Sequence, residues 1–188
     1  MKIGLFFGSF NPIHIGHLII ANHIVEHTEL QKIWFVVSPQ NPLKSTSSLL
    51  NEYHRLHLVQ LAIENDTRFK ASNIEFKLPR PSYTIETLTY LSEKYPKHQF
   101  SIIMGGDSYS NLNNWKNCEL ILKNYQIVVY NRIGFEPEKK SEKTSFIQAP
   151  FLNISSTLIR NEIKIGRSVK YLVPELVYNE LEITNYYK

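Results

Sequence analysis

The sequence predicts one doubly wound α/β domain over residues 1–188, with helices on both faces of a mostly parallel sheet. Short β-branched or aromatic runs alternate with longer segments of helical period, the pattern of successive βαβ units. The first run is apolar at consecutive positions, as a strand buried on both faces must be. It leads straight into a Gly-containing turn and a helical segment, the junction at which such sheets place their ligands. A chain of 188 residues, 43% hydrophobic and 20% charged, is long enough to bury most of the surface that its unfolded form exposes.

Lys2 to Phe7 is that first strand, and Ile15 to Thr28 a helix with Leu18, Ile19, Asn22 and Val25 on successive turns. Ile33 to Val37 is the second strand, ended by Ser38-Pro39-Gln40-Asn41-Pro42. Glu52 to Glu64 reads as a helix with Leu56, Val59 and Ile63 on one stripe, and Ser72 to Phe76 as a short strand. Ser82 fits the N-cap of a helix through Ile85, Leu88 and Leu91, stopped at Pro96. Phe100 to Met104 is a strand entering Gly105-Gly106-Asp107, Cys118 to Lys123 a short helix, and Ile127 to Tyr130 another buried strand. Asn131 to Thr144, polar and charged, is expected to be a mobile loop. Ser155 to Ile165 is a helix with Gly166 as its C-terminal cap, and Pro174 opens a last helix through Leu181.

With 21 basic and 17 acidic residues the net charge is +4, an excess that suits an anionic small molecule. The basic residues do not cluster, apart from Lys139, Lys140 and Lys143 interleaved with Glu138 and Glu142, so nucleic acid is not the expected partner. The one cysteine, Cys118, forms no internal disulfide and points to a reducing compartment. The N-terminal apolar stretch is too short for a signal peptide, and no run approaches the roughly 18 apolar residues of a membrane helix, so the cytoplasm is expected and no membrane partner.

The first strand runs into Gly8-Ser9-Phe10-Asn11-Pro12-Ile13-His14-Ile15-Gly16-His17. A strand, a turn and a helix start make an anion site, because free N–H groups point outward and the helix dipole favours negative charge. His14 and His17, three apart, fall on one side of the first helical turn, and Gly16 is expected to leave room for a ligand near the backbone. A pair with no nearby carboxylate or cysteine makes a poor metal site, whereas imidazole N–H groups there suit a phosphate on which charge is building. A second string, Ile154-Ser155-Ser156-Thr157-Leu158-Ile159-Arg160, puts three hydroxyl residues at a helix start with a guanidinium one turn inside. Taken alone it is an N-cap; beside a phosphate loop it suits a polyphosphate.

The first string resembles the G-x-F-x-P-x-H-x-G-H motif of the nucleotidyltransferase superfamily, which includes the adenylyltransferases of NAD and coenzyme A synthesis. Class I aminoacyl-tRNA synthetases carry a related His-Ile-Gly-His box. The second resembles the I-S-S-T-x-I-R motif that closes over the ATP phosphates in that superfamily, and it stands in the family's order. The resemblance implies a Rossmann-like nucleotidyltransferase fold. It makes Gly8, Ser9, Phe10, His14, His17, Gly106, Asp107, Ser155, Ser156, Thr157 and Arg160 the ATP-binding residues, with His14, His17 and Arg160 catalytic. One departure is Phe7, where the family usually has glycine; since Phe6 and Phe7 continue the apolar run, Phe7 is expected to stay in the strand and turn into the core.

Between the two strings the chain is similar to the nicotinate mononucleotide adenylyltransferases. Pro39 to Lys44 matches their Pro-rich stretch ending in lysine, Ser82-Tyr83-Thr84…Thr87-Leu88 their S-Y-T-x-x-T-L segment, and Gly105-Gly106-Asp107…Trp115 their G-x-D…W segment. The likeness implies that Asn11, Lys44, Tyr83, Thr84 and Trp115 bind the mononucleotide, with Lys44 neutralising phosphate and Trp115 stacking on the pyridine ring. Free N–H groups at the start of the third helix would favour a carboxylate over a neutral amide.

The implied reaction joins ATP to nicotinic acid mononucleotide, with release of pyrophosphate and no covalent enzyme intermediate, in NAD biosynthesis. Magnesium would arrive on the ATP, since the sequence offers no carboxylate cage and no protein metal site is expected. Phosphopantetheine adenylyltransferase shares the first motif but does not call for Ser82-Tyr83-Thr84 with Trp115. An RNA-binding relative of the synthetases would need a basic stripe, and a non-catalytic dinucleotide binder would not need His14, His17 and Arg160 together. Whether copies form a homo-oligomer stays open.

Overall fold

The computed structural model describes residues 1–40, 49–131, 138–150 and 152–188. In chain order the strands are β1 (Lys2–Gly8), β2 (Lys32–Val37), β3 (Phe69–Ser72), β4 (Gln99–Gly105), β5 (Gln126–Asn131) and β6 (Thr144–Gln148). The helices are α1 (Ile15–His27), α2 (Glu52–Ile63), α3 (Thr84–Lys94), α4 (Gly106–Ser110), α5 (Cys118–Asn124), α6 (Ser156–Lys164) and α7 (Glu175–Ile183). The strands form one six-stranded sheet in the order β3-β2-β1-β4-β5-β6, every neighbouring pair parallel.

Strand order reverses between β1 and β4, which pair directly with Leu5 opposite Ile102 and Phe6 opposite Ile103. Loops leaving the carboxyl ends of these strands diverge to opposite faces, so a crevice opens there. Alternation along β1 splits the core: Ile3 and Leu5 pack with α3, α4 and α5, while Phe6 packs with α1, α2, α6 and α7. Among the described residues no helix is long and apolar enough to cross a membrane.

Three local expectations are corrected. The third strand is Phe69–Ser72, and Ile74–Lys77 forms a 3-10 turn instead; the Ile74/Phe76 alternation reflects one side chain buried on each core, not an extended run. Ser82 is not the cap of α3. Tyr83 holds that position without a side-chain bond, because the Ser82 hydroxyl donates to the buried Glu75 carboxylate at 3.0 Å. Thr144–Gln148 is an edge strand that takes the last residue of the expected loop, Thr144, and four residues to which no element was given; Ser145 and Phe146 are exposed on it, so no apolar run announced it. Residues 132–137 of that expected loop lie outside the described residues, as does Lys44. Gly166 does end α6: at φ +72 it donates to the Ile163 carbonyl (3.0 Å) and Arg167 donates to that of Glu162 (2.9 Å).

Candidate active site

Two clefts, of about 680 and 570 Å³, open at the carboxyl ends of β1 and β4 and share Gly8, Ser9, Gly105 and Asp107 on their borders. Phe7 stays in β1 and is half-buried, but its side chain lines both clefts, so it forms a shared wall as well as packing on the core.

The turn after β1 owes its shape to Phe10. Its backbone is left-handed (φ 44) and its ring, 2% exposed, lies edge-on to Phe6 at 5.9 Å and to His17 at 5.1 Å. A Cβ on Gly8 would meet that ring at 2.8–3.0 Å, so glycine is required there. Phe10 therefore supports the turn from beneath and offers a ligand chiefly its backbone. A Cβ on Gly16 would meet the His14 ring at 3.1 Å, so Gly16 makes room for His14, and it also borders the first cleft.

His14 and His17 stack at the start of α1, with ring centroids 3.7 Å apart. The His14 backbone N–H donates to His17 Nδ1 at 3.2 Å, which makes Nδ1 an acceptor and leaves the proton of the neutral ring on Nε2. His14 is 6% exposed, and burial lowers its pKa to about 4. It is neutral at neutral pH. Since an unfolded histidine titrates near 6.5, stability is lost as pH falls from there toward 4, by up to about 3 kcal/mol. An anion beside the ring raises this pKa, so binding of a polyphosphate in this cleft should be accompanied by proton uptake and should tighten as pH falls from 7 toward 5. Calorimetry at pH 6 in two buffers of different ionisation heat measures the uptake; none at all would mean that His14 meets phosphate as the neutral ring.

The second string folds onto the first. Ser155 caps α6, its Oγ accepting from the Leu158 N–H at 3.1 Å. The Ser156 hydroxyl donates to the Pro12 carbonyl (2.8 Å), and Arg160 donates to the Asn11 carbonyl (2.8 Å) and to Thr157 Oγ1 (3.3 Å). Ser156 thus commits its proton to the protein and is left to meet a phosphate through its N–H. His14, His17, Ser155, Ser156, Thr157 and Arg160 all line the first cleft with Gly106 and Asp107, presenting N–H groups and a guanidinium in the pattern that binds a polyphosphate.

Tyr83, Thr84 and Trp115 line the second cleft, where α3 begins. The first-turn N–H groups of Thr84 and Ile85 have no acceptor within the helix. Lys116, bonded to Glu86 at 2.6 Å, lies over the Tyr83 ring at 4.4 Å. Asn11 is placed elsewhere. It borders the first cleft, and its Oδ1 accepts from the Leu50 N–H (3.1 Å) and the Tyr187 hydroxyl (2.8 Å).

The cytidylyltransferase-like family matches residues 5–162, which takes in both strings and both clefts. The chain belongs to this family. Across its full length it is 53% identical to a Flavobacterium johnsoniae protein named "Probable nicotinate-nucleotide adenylyltransferase", all of which is covered. A protein of the same name from Cytophaga hutchinsonii is 50% identical over 100% of this chain and 98% of its own length. Among solved structures, Plasmodium falciparum nicotinic acid mononucleotide adenylyltransferase complexed with NaAD superposes with a TM-score of 0.84 at 22% identity, covering 99% of this chain and 97% of that one. That last likeness shows the fold.

For a member of this family the motifs leave two buried charges unannounced. Glu75, 2% exposed, lines the second cleft and accepts from Ser82 (3.0 Å) and Thr87 (2.9 Å). Burial pushes its pKa up, against the pull of the Ser38, Thr87 and Ser82 hydroxyls. The only sequence signal is a carboxylate between two apolar residues, Ile74 and Phe76. Arg55, fully buried, stands on α2 between exposed His54 and half-buried Leu56, and its one sequence signal is its place three and four residues before Leu58 and Val59 on the buried stripe.

Proposed function

We propose that the chain is an adenylyltransferase that joins ATP to nicotinic acid mononucleotide, giving nicotinic acid adenine dinucleotide and pyrophosphate in NAD biosynthesis. The observation that carries the reading is the meeting of two clefts at the end of β1, one rich in phosphate donors and the other opening on the start of α3 beside Trp115. Two full-length relatives that bear this activity in their names support it. Residues 1–188 act as one domain in the cytoplasm, on small-molecule substrates and not on nucleic acid.

A 5′-phosphate oxygen of the mononucleotide attacks the α-phosphorus of ATP in line. The new O–P bond forms as the bond to the bridging oxygen breaks, and pyrophosphate departs with that electron pair. The nucleophile is already anionic, so positioning and charge stabilisation suffice and no covalent enzyme intermediate is needed. His14 and His17 donate to the α-phosphate and the leaving oxygens, while Arg160 and the N–H groups at the start of α6 hold the β- and γ-phosphates. Asp107 accepts from nucleotide hydroxyls. Thr84 with the first turn of α3 takes the nicotinate carboxylate, and Trp115 stacks on the pyridine ring. Magnesium would arrive with the nucleotide and, bound there, would neutralise triphosphate charge.

Pyrophosphate release from ATP, assayed with the acid mononucleotide, the amide mononucleotide and phosphopantetheine in parallel, tests the proposal. The acid should be used at least about tenfold better than the amide, equivalent to roughly 1.4 kcal/mol, and phosphopantetheine not at all. Thr84→Ala should narrow the gap, while Trp115→Ala should weaken acid and amide by similar factors. Comparable efficiency on acid and amide would remove the role given to α3. Turnover of phosphopantetheine alone would overturn the proposal.

A further inference from the structure

Among the described residues Arg55 on α2 makes four hydrogen bonds, all to main-chain carbonyls: Nε to Leu50 at 2.7 Å, Nη1 to Ser9 at 2.5 Å and Ser38 at 2.8 Å, and Nη2 to Pro39 at 3.0 Å. Ser9 belongs to the turn after β1 and borders both clefts, whereas Ser38 follows β2 and borders the second. Leu50 is tied to the same turn a second time, its N–H donating to Asn11 Oδ1. One planar side chain thus gathers the mouths of two adjacent strands and the lead-in to α2.

The charge on Arg55 is unusual for its depth. Among the described residues no carboxylate hydrogen-bonds to it; Glu52, on the same helix, is engaged by Arg80 at 2.6 Å. Burial therefore works against its proton, as the lowered pKa records, yet a guanidinium keeps that proton. A buried ion whose hydrogen bonds all go to carbonyl dipoles, with Glu52 acting on it only through space, leaves positive charge beneath two loops at which anionic substrates are to meet. An apolar residue of similar volume would fill the space without that cost, so packing does not account for an arginine here.

We infer that Arg55 is a positioning residue for phosphate transfer, holding the Ser9 turn and the Ser38–Pro39 segment in one register so that the two substrates meet in line. The inference rests on the proposed assignment of the two clefts. Lysine carries the same charge as a point donor and cannot span these carbonyls as a fork does. Arg55→Lys should therefore separate register from charge.

In the full chain, Arg55→Lys should leave the separate Kd values for a non-hydrolysable ATP analogue and for nicotinic acid mononucleotide within about threefold, while kcat falls by about thirtyfold or more. Arg55→Met, which keeps neither fork nor charge, should weaken both Kd values as well. A role in folding alone would lower the melting temperature and leave kcat of the folded protein unchanged, and that result in Arg55→Lys overturns the inference. If neither variant is folded at the assay temperature, the unmutated protein decides: its Arg55 guanidinium proton resonances should shift when the analogue or the mononucleotide is added. Absence of a shift with both overturns the inference. No pyrophosphate from the unmutated chain with both substrates overturns the cleft assignment beneath it, whereas active unmutated chain with wild-type kcat in Arg55→Lys overturns the inference alone.

Discussion

His17→Ala is expected to lower turnover by about two orders of magnitude or more while the protein stays folded. The ring lies at the mouth of α1, with Nδ1 occupied by the His14 N–H and its proton on Nε2, so it acts as a fixed donor. A donor aimed at developing charge in a preorganised site contributes roughly 3 kcal/mol to the transition state, which corresponds to the expected loss. The fold should survive because His17 is half-buried and the bond that it accepts from the His14 N–H is a helix-start contact, worth about 1 kcal/mol. Single-turnover rates and a melting curve on the same preparation measure both. Near-normal turnover in the folded variant would remove His17 from the chemistry.

Arg160→Ala should weaken ATP use by about ten- to a hundredfold and mononucleotide binding much less. Its partners under the proposal are the outer phosphates, and a charge-assisted bond lost from a partly buried site costs about 1.5–3 kcal/mol. The substitution also releases the Asn11 carbonyl, which Arg160 holds at 2.8 Å, so some loss in kcat is expected from a looser turn. Separate titrations of the ATP analogue and the mononucleotide distinguish the two effects. Equal weakening of both would make Arg160 a brace for the turn and not a phosphate ligand.

The βαβ order and the phosphate-donor strings are readable because each is local. Strands and helices announce themselves through period, and an anion site at a helix start is a contiguous run of residues. What holds the site together is not local. Arg55 reaches Ser9 and Ser38 at separations of 46 and 17 residues, and its acceptors are backbone atoms that carry no side-chain signature. Glu75 took Ser82 out of the cap position, a competition settled only when the two came together in the fold. Asn11 sits inside the first motif and was expected to touch the mononucleotide, yet its side chain turns to Leu50 and to Tyr187, 176 residues away. Residue type and motif position cannot tell a substrate contact from the bracket that shapes the turn. β6 escaped because a half-exposed edge strand needs no apolar run.

Arg160 already spends one of its five N–H donors on the Asn11 carbonyl, so under the proposal ATP shares the guanidinium with an intramolecular rival. Where a phosphate displaces that bond, its net gain is the difference between two hydrogen bonds, and counting contacts in a bound complex would overstate how tightly the nucleotide is held.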